Sequence, residues 1–172
     1  MNQITQSTET FGIALDFVLD HEGGYVHDAA DPGGETRYGI SRAAHPELEV
    51  GDISIETARV IYWQDYWQPA RCEKLPAPLA VALFDAAVNH GVQTAVKMLQ
   101  RELPVHADGI IGPKTRAAIN RMDQRRLLVN FLQRRISLYC ELADRHPEQQ
   151  RFLRGWQLRI LDLLETTVPL HV

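Results

Sequence analysis

Phe11, Leu15 and Val18 recur at helical spacing, Ala14 and Leu19 widen the stripe, and Glu22 falls in line with it. Ser7 is placed to cap this helix, with Glu9 in its first turn. Gly23 and Gly24 follow, the residue type that most often ends a helix. Periodicity then gives way to turn residues, and a short hairpin is expected between Tyr25 and Ser41. Residues 43–52 read as loop with one short helical turn. Ser54 caps a second helix with Glu56 early in it; the helix runs through Ala58, Ile61, Tyr62, Trp63, Tyr66 and Trp67 until Pro69 closes it. Pro76 and Pro78 open a third, whose residues 79–90 are almost wholly apolar, so it is expected at the centre. Gly91 ends it. A shorter helix over 93–103 turns Val96 and Leu99 inward, and Pro113 starts another that reaches Ile119. Two long helices follow. The first covers 124–145, with Leu128, Phe131, Leu132, Tyr139 and Leu142 inward. The second covers 147–165, with Phe152, Trp156, Ile160 and Leu164 inward. Arg125, Arg126, Arg134, Arg135, Arg151, Arg154 and Arg159 are assigned to their outer faces. The pattern predicts a mainly α fold with a small irregular or hairpin segment.

Composition is that of an ordinary globular chain of 172 residues, enough for one core or two lobes sharing one. No apolar run is long enough for a transmembrane helix. Residues 1–9 lack the basic and apolar regions of a secretory signal, so synthesis in the cytoplasm is expected. Cys72 and Cys140 are accordingly expected as free thiols. The net charge of −4 conceals an asymmetry. Residues 1–86 hold 5 basic and 14 acidic side chains, and residues 87–172 hold 13 and 8. Either the basic half attracts an anionic polymer, or the halves neutralise each other across the fold.

The candidate chemistry centres on Glu22. It sits on the last turn of its helix, where the negative end of the dipole and partial burial both favour a protonated carboxyl. A general acid needs that form near neutral pH. The looped segment after it, with Asp31, Glu35, Thr36, Tyr38 and Ser41, can fold back to set a second carboxylate or a held water opposite. Asp31 and Glu35 are the candidates for that carboxylate; the Thr36 hydroxyl can hold a water; Tyr25 and Tyr38 can orient a carboxylate or touch an N-acetyl group. Rings at Tyr62, Trp63, Tyr66 and Trp67 suit sugar faces, although most aromatics at helical spacing are core. Asp85 and Asn89 share one face of the apolar helix and either line a cleft or brace the interior. His21, Glu22, His27, Asp28 and Asp31 match no metal-binding spacing, so no metal or other cofactor is expected. The basic helices lack interleaved aromatics, which argues against nucleic acid.

Glu22-Gly23-Gly24-Tyr25, then Asp31-Pro32-Gly33-Gly34-Glu35-Thr36, then Tyr38-Gly39-Ile40-Ser41 resembles the signature of glycoside hydrolase family 108. The resemblance continues through Trp63-Gln64-Asp65-Tyr66-Trp67 and residues 84–91. Asp108-Gly109-Ile110-Ile111-Gly112-Pro113, with Thr115, resembles a motif of peptidoglycan-binding modules. Together these cover roughly residues 10–165. The order of glutamate, aspartate nine residues on and threonine soon after also resembles phage-type lysozymes, where the second step is one residue longer. The resemblance implies a lysozyme-like fold with a catalytic region over 1–92 and a helical peptidoglycan-binding-like region over 93–172, packed as one unit. It implies an N-acetylmuramidase that cuts the β-1,4 bond between N-acetylmuramic acid and N-acetylglucosamine, with Glu22 as the catalytic residue and Asp31 and Thr36 beside it. Tyr25, Glu35, Tyr38, Ser41, Trp67, Asp85 and Asn89 are then expected to meet the glycan. The setting implied is phage-driven host lysis or wall remodelling for secretion, by a monomer that reaches the wall through another machine such as a holin. The alternatives are a non-catalytic wall-binding module and a lytic transglycosylase.

Overall fold

The computed structural model describes residues 3–22, 26–27 and 35–171. Among these residues, seven α-helices carry the fold: α1 (Gln3–Glu22), α2 (Ile55–Tyr62), α3 (Ala77–His90), α4 (Val92–Gln100), α5 (Pro113–Arg121), α6 (Gln124–Arg145) and α7 (Gln150–Thr167). The chain is mainly α, as its periodicity predicts. α3 is the hub. Leu79 through Ala87 are all buried, and the helix packs against α1, α4, α6 and α7. One hydrophobic cluster runs from Phe11 and Val18 on α1 through Phe84 to Phe131 on α6 and Leu163 on α7. Among the described residues no helix is long and apolar enough to cross a membrane.

Most helix ends follow the expected chemistry. Ser54 caps α2, its hydroxyl accepting from the Thr57 amide at 3.1 Å. Asp123 caps α6 through the Arg126 amide at 2.8 Å. Gly91, at φ +79°, makes the bend between α3 and α4. The start of α1 is a correction. Ser7 lies inside the helix rather than at its cap, because Gln3 to Gln6 contain no glycine or proline to stop the helix earlier. Phe152 is a second correction: it is exposed, its ring beside the Arg151 guanidinium and Trp156, and Ile160 and Leu163 make the buried side of α7.

α2 continues beyond Tyr62 as a π-helical turn, Trp63–Trp67, in which the Gln68 amide donates to the Trp63 carbonyl at 2.9 Å. The wider turn drives Trp67 into the core against Phe11 and Phe84 and leaves Trp63 and Tyr66 partly exposed. The expected hairpin is a three-stranded antiparallel sheet: β1 (Val26–His27), β2 (Glu35–Arg37) and β3 (Ile40–Ser41), in that order. Val26 pairs with Thr36, and Thr36 with Ser41. Tyr38 and Gly39 join β2 to β3 with φ of +52° and +74°, the pair of positive angles that matches a tight turn to the twist of its strands.

Candidate active site

Glu22 ends α1 with its side chain 27% exposed, and three elements converge on it. The β2–β3 turn lies against its stem: a Cβ added at Gly39 would stand 3.0 Å from Glu22 Cγ and 2.6 Å from the Tyr62 hydroxyl. That hydroxyl donates to the Tyr38 carbonyl at 2.8 Å, so α2 pins the turn in place. Burial pushes the Tyr62 phenol well up, and the nearby Glu22 charge pushes it further. Tyr66 is raised by burial, by Asp65 and then by Glu22. Both phenols therefore stay neutral: the Tyr62 proton is committed to the Tyr38 carbonyl, and its oxygen and the Tyr66 hydroxyl are the polar groups on this side of the carboxyl.

The third element is α7. Arg159 Nη1 lies 3.0 Å from Glu22 Oε1. The other edge of the same guanidinium faces Asp85: Nε donates to Oδ1 at 2.9 Å, and Nη2 lies 2.7 Å from that oxygen. The second oxygen of Asp85 is 2.7 Å from Arg135 Nη2 on α6. Arg135 in turn donates to the Tyr139 hydroxyl, and Asn89 donates to the Asp85 carbonyl at 2.8 Å. The result is a buried relay, Glu22–Arg159–Asp85–Arg135, with Asp85 1% and Arg135 0% exposed at the side chain. Burial alone would raise the Asp85 carboxyl; Arg135 and Arg159 outweigh it and hold the group below the usual aspartate range. Burial opposes the charge of Arg159 as well, and Asp85 and then Glu22 more than restore it. His21, one residue before Glu22, lies 3.3 Å from Asp162 on α7 and completes the dock between the two helices.

Two of the seven arginines assigned to outer faces are thus interior. The signal was present in the spacing: Arg135 falls in line with Leu128, Phe131, Leu132 and Tyr139, and Arg159 with Trp156 and Leu163. Asp85 braces the interior rather than lining an open cleft, and its partners come from the last two helices. Asn89 serves that brace.

The remaining expected residues divide. Glu35 pairs with Arg42 at 3.1 Å and lies beside Gly51, where an added Cβ would come within 2.9 Å of its carboxylate. Arg37 donates to the Gly51 carbonyl, so β2 is tied to the Val50–Asp52 turn. Thr36 sits mid-strand in β2, part-buried. Ser41 accepts from the Ala44 amide at 3.2 Å and stabilises the turn after β3. Tyr38 contributes its carbonyl to Tyr62, and its ring lies under Arg37. Trp67, expected against glycan, is wholly buried and belongs to the core. Asp31 and Tyr25 lie outside the described residues. A cavity of about 440 Å³ lies at the far end of α1, lined by Ser7, Thr10, Glu73 and Arg116. It is separate from this chemistry, since Ser7 and Glu22 are about 22 Å apart along the helix.

A bundle built on a central buried helix, with a glutamate at a helix end against a small sheet, is a lysozyme-like fold. Comparison with known proteins agrees. Residues 15–91 match the family model described as "Glycosyl hydrolase 108", and residues 94–161 match "Predicted Peptidoglycan domain". The solved structure of SagA from Brucella abortus is similar at 32% identity over 95% of this chain and 96% of that one, with a TM-score of 0.82. A search of curated protein sequences found no match. The chain belongs to glycosyl hydrolase family 108. It is a glycoside hydrolase directed at peptidoglycan, with a peptidoglycan-binding region after the catalytic one.

Proposed function

We propose that the protein is an N-acetylmuramidase that hydrolyses the β-1,4 bond between N-acetylmuramic acid and N-acetylglucosamine, with Glu22 as general acid. The observation that carries this is the setting of Glu22. It is a part-exposed carboxyl at a helix end, flanked by the Tyr38–Gly39 turn and two neutral phenols and backed by a fixed guanidinium. Its position in the family motif supports the same residue. In the reaction the Glu22 proton passes to the glycosidic oxygen as the C1–O bond breaks and positive charge develops on the sugar. Water then adds at C1 and returns a proton. Asp31 takes the second role in this reading, with Thr36 holding the water, on their places in the family motif; Glu35 pairs with Arg42 and lies beside Gly51. Tyr25, Tyr38 and the exposed edges of Trp63 and Tyr66 supply contacts to the glycan. The substrate is the bacterial wall, so the protein acts there, in host lysis or in local opening of the wall.

The test is clearing of cells stripped of their outer membrane, followed by mass spectrometry of the fragments. Wild type should clear the suspension and release reducing muropeptides heavier by one water. Glu22→Gln should lose activity by about 10³-fold, within the range for a general acid whose proton is removed. Full clearing by Glu22→Gln overturns the assignment of the acid, and anhydro-sugar products overturn hydrolysis in favour of a lytic transglycosylase.

A further inference from the structure

The inference deepens the reading of Glu22 as acid and rests on it. We propose that Arg159 is the positioning residue of the catalytic carboxyl: it fixes which oxygen carries the proton and stabilises the charge left when the proton departs. A guanidinium has donors and no acceptor. The oxygen facing Arg159 Nη1 is Oε1, at 3.0 Å, so a proton there would point at another donor. The proton is therefore carried on Oε2, and that oxygen is the one that meets the glycosidic oxygen.

The guanidinium is well placed for this because it cannot wander. Its Nε donates to Asp85 Oδ1 and Nη2 lies 2.7 Å from the same oxygen, its plane packs near the Phe17 ring, and only 11% of its side chain is exposed. Asp85 is held in turn by Arg135 and Asn89. The charge count points the same way. With Glu22 ionised, the four-residue relay is neutral; with Glu22 protonated, it carries one positive charge. The carboxylate formed as the proton passes to the leaving oxygen is thus met by a cation already in place. Arg159 and Arg135 both lie within residues 94–161, the stretch matching the peptidoglycan domain model. That stretch thus supplies part of the catalytic machinery in addition to any grip on the wall.

The experiment measures kcat and KM on soluble peptidoglycan fragments for the full chain, with Glu22→Gln, Arg159→Lys and Arg159→Ala. Arg159→Ala should lower kcat by about 10²-fold with KM nearly unchanged, the scale of a misplaced catalytic group. Added methylguanidinium should restore part of that loss in Arg159→Ala and none in Glu22→Gln. Arg159→Lys keeps a cation against Asp85 and so keeps the fold. A single ammonium cannot face both carboxylates as a fork, and kcat should still fall about tenfold. Arg159→Lys at wild-type kcat overturns the proposal, as does a loss confined to KM or a folded Arg159→Ala that methylguanidinium does not rescue. If Glu22→Gln is dead while both Arg159 variants are fully active, the acid stands and the positioning role falls. If Glu22→Gln is active, the underlying reading falls instead.

Discussion

Gly39 carries more of the site than its size suggests. Its φ of +74° is one that side-chain-bearing residues avoid, and an added Cβ would overlap the Tyr62 hydroxyl at 2.6 Å. Gly39→Ala should destabilise the protein by about 1–3 kcal/mol and shift the Glu22 stem, so thermal melting and cell clearing should both fall. Asp85→Asn should cost about 3–5 kcal/mol, because it leaves the interior Arg135 guanidinium without a carboxylate and Arg159 with Glu22 alone. A denaturant titration reads that directly, and kcat should drop with it once Arg159 loses its anchor. At this scale the sequence was informative about acids and poor about bases. Glu22 stood out because an apolar stripe ran into two glycines, and Asp85 because it interrupted an apolar helix. Arg135 and Arg159 were passed over because arginine usually faces water, even though their spacing put them on the inward stripes. An acid in a wholly apolar helix needs an interior cation, and joining those two observations would have found both.

Helices were readable because their stripes are regular and most of their ends carry recognisable caps. Pro113, Ser54 and Gly91 each mark a real boundary. The start of α1 was misplaced since a serine can cap or simply occupy a turn, and sequence alone does not say which. The π-helical turn at Trp63–Trp67 was invisible for a related reason: one additional residue in a turn leaves composition untouched while rotating the rings that follow. That rotation decides that Trp67 is core and Tyr66 stays partly exposed. The sheet was expected as a hairpin and has a third strand, because two-residue strands such as Val26–His27 are too short to show alternation.

Across the whole molecule, the acidic and basic halves of the chain meet in the relay, where Glu22 and Asp85 face Arg159 and Arg135, so mutual neutralisation is built into the fold. Acid should therefore loosen it in two stages. His90 is held neutral, its pKa lowered to about 4 by burial and then by Arg135. The unfolded chain takes up that proton near pH 6.5 and the folded chain does not, so stability should decline as pH falls from about 6.5 toward 4. Asp85 is shifted the other way by its two arginines, and its contribution is lost only at still lower pH, as that carboxylate is protonated. Urea midpoints measured across this range should show a flatter first stage in His90→Gln, while the second stage remains.

The fork of Arg159 also bears on how such enzymes can be recombined. Wall-degrading proteins invite construction by exchange of cutting and gripping halves as interchangeable cassettes. Here the seam between the halves runs between Glu22 and Arg159, and with Glu22 as the proposed acid, a donor tail lacking an arginine in register with Glu22 and Asp85 would arrive as a competent anchor on a blunted blade.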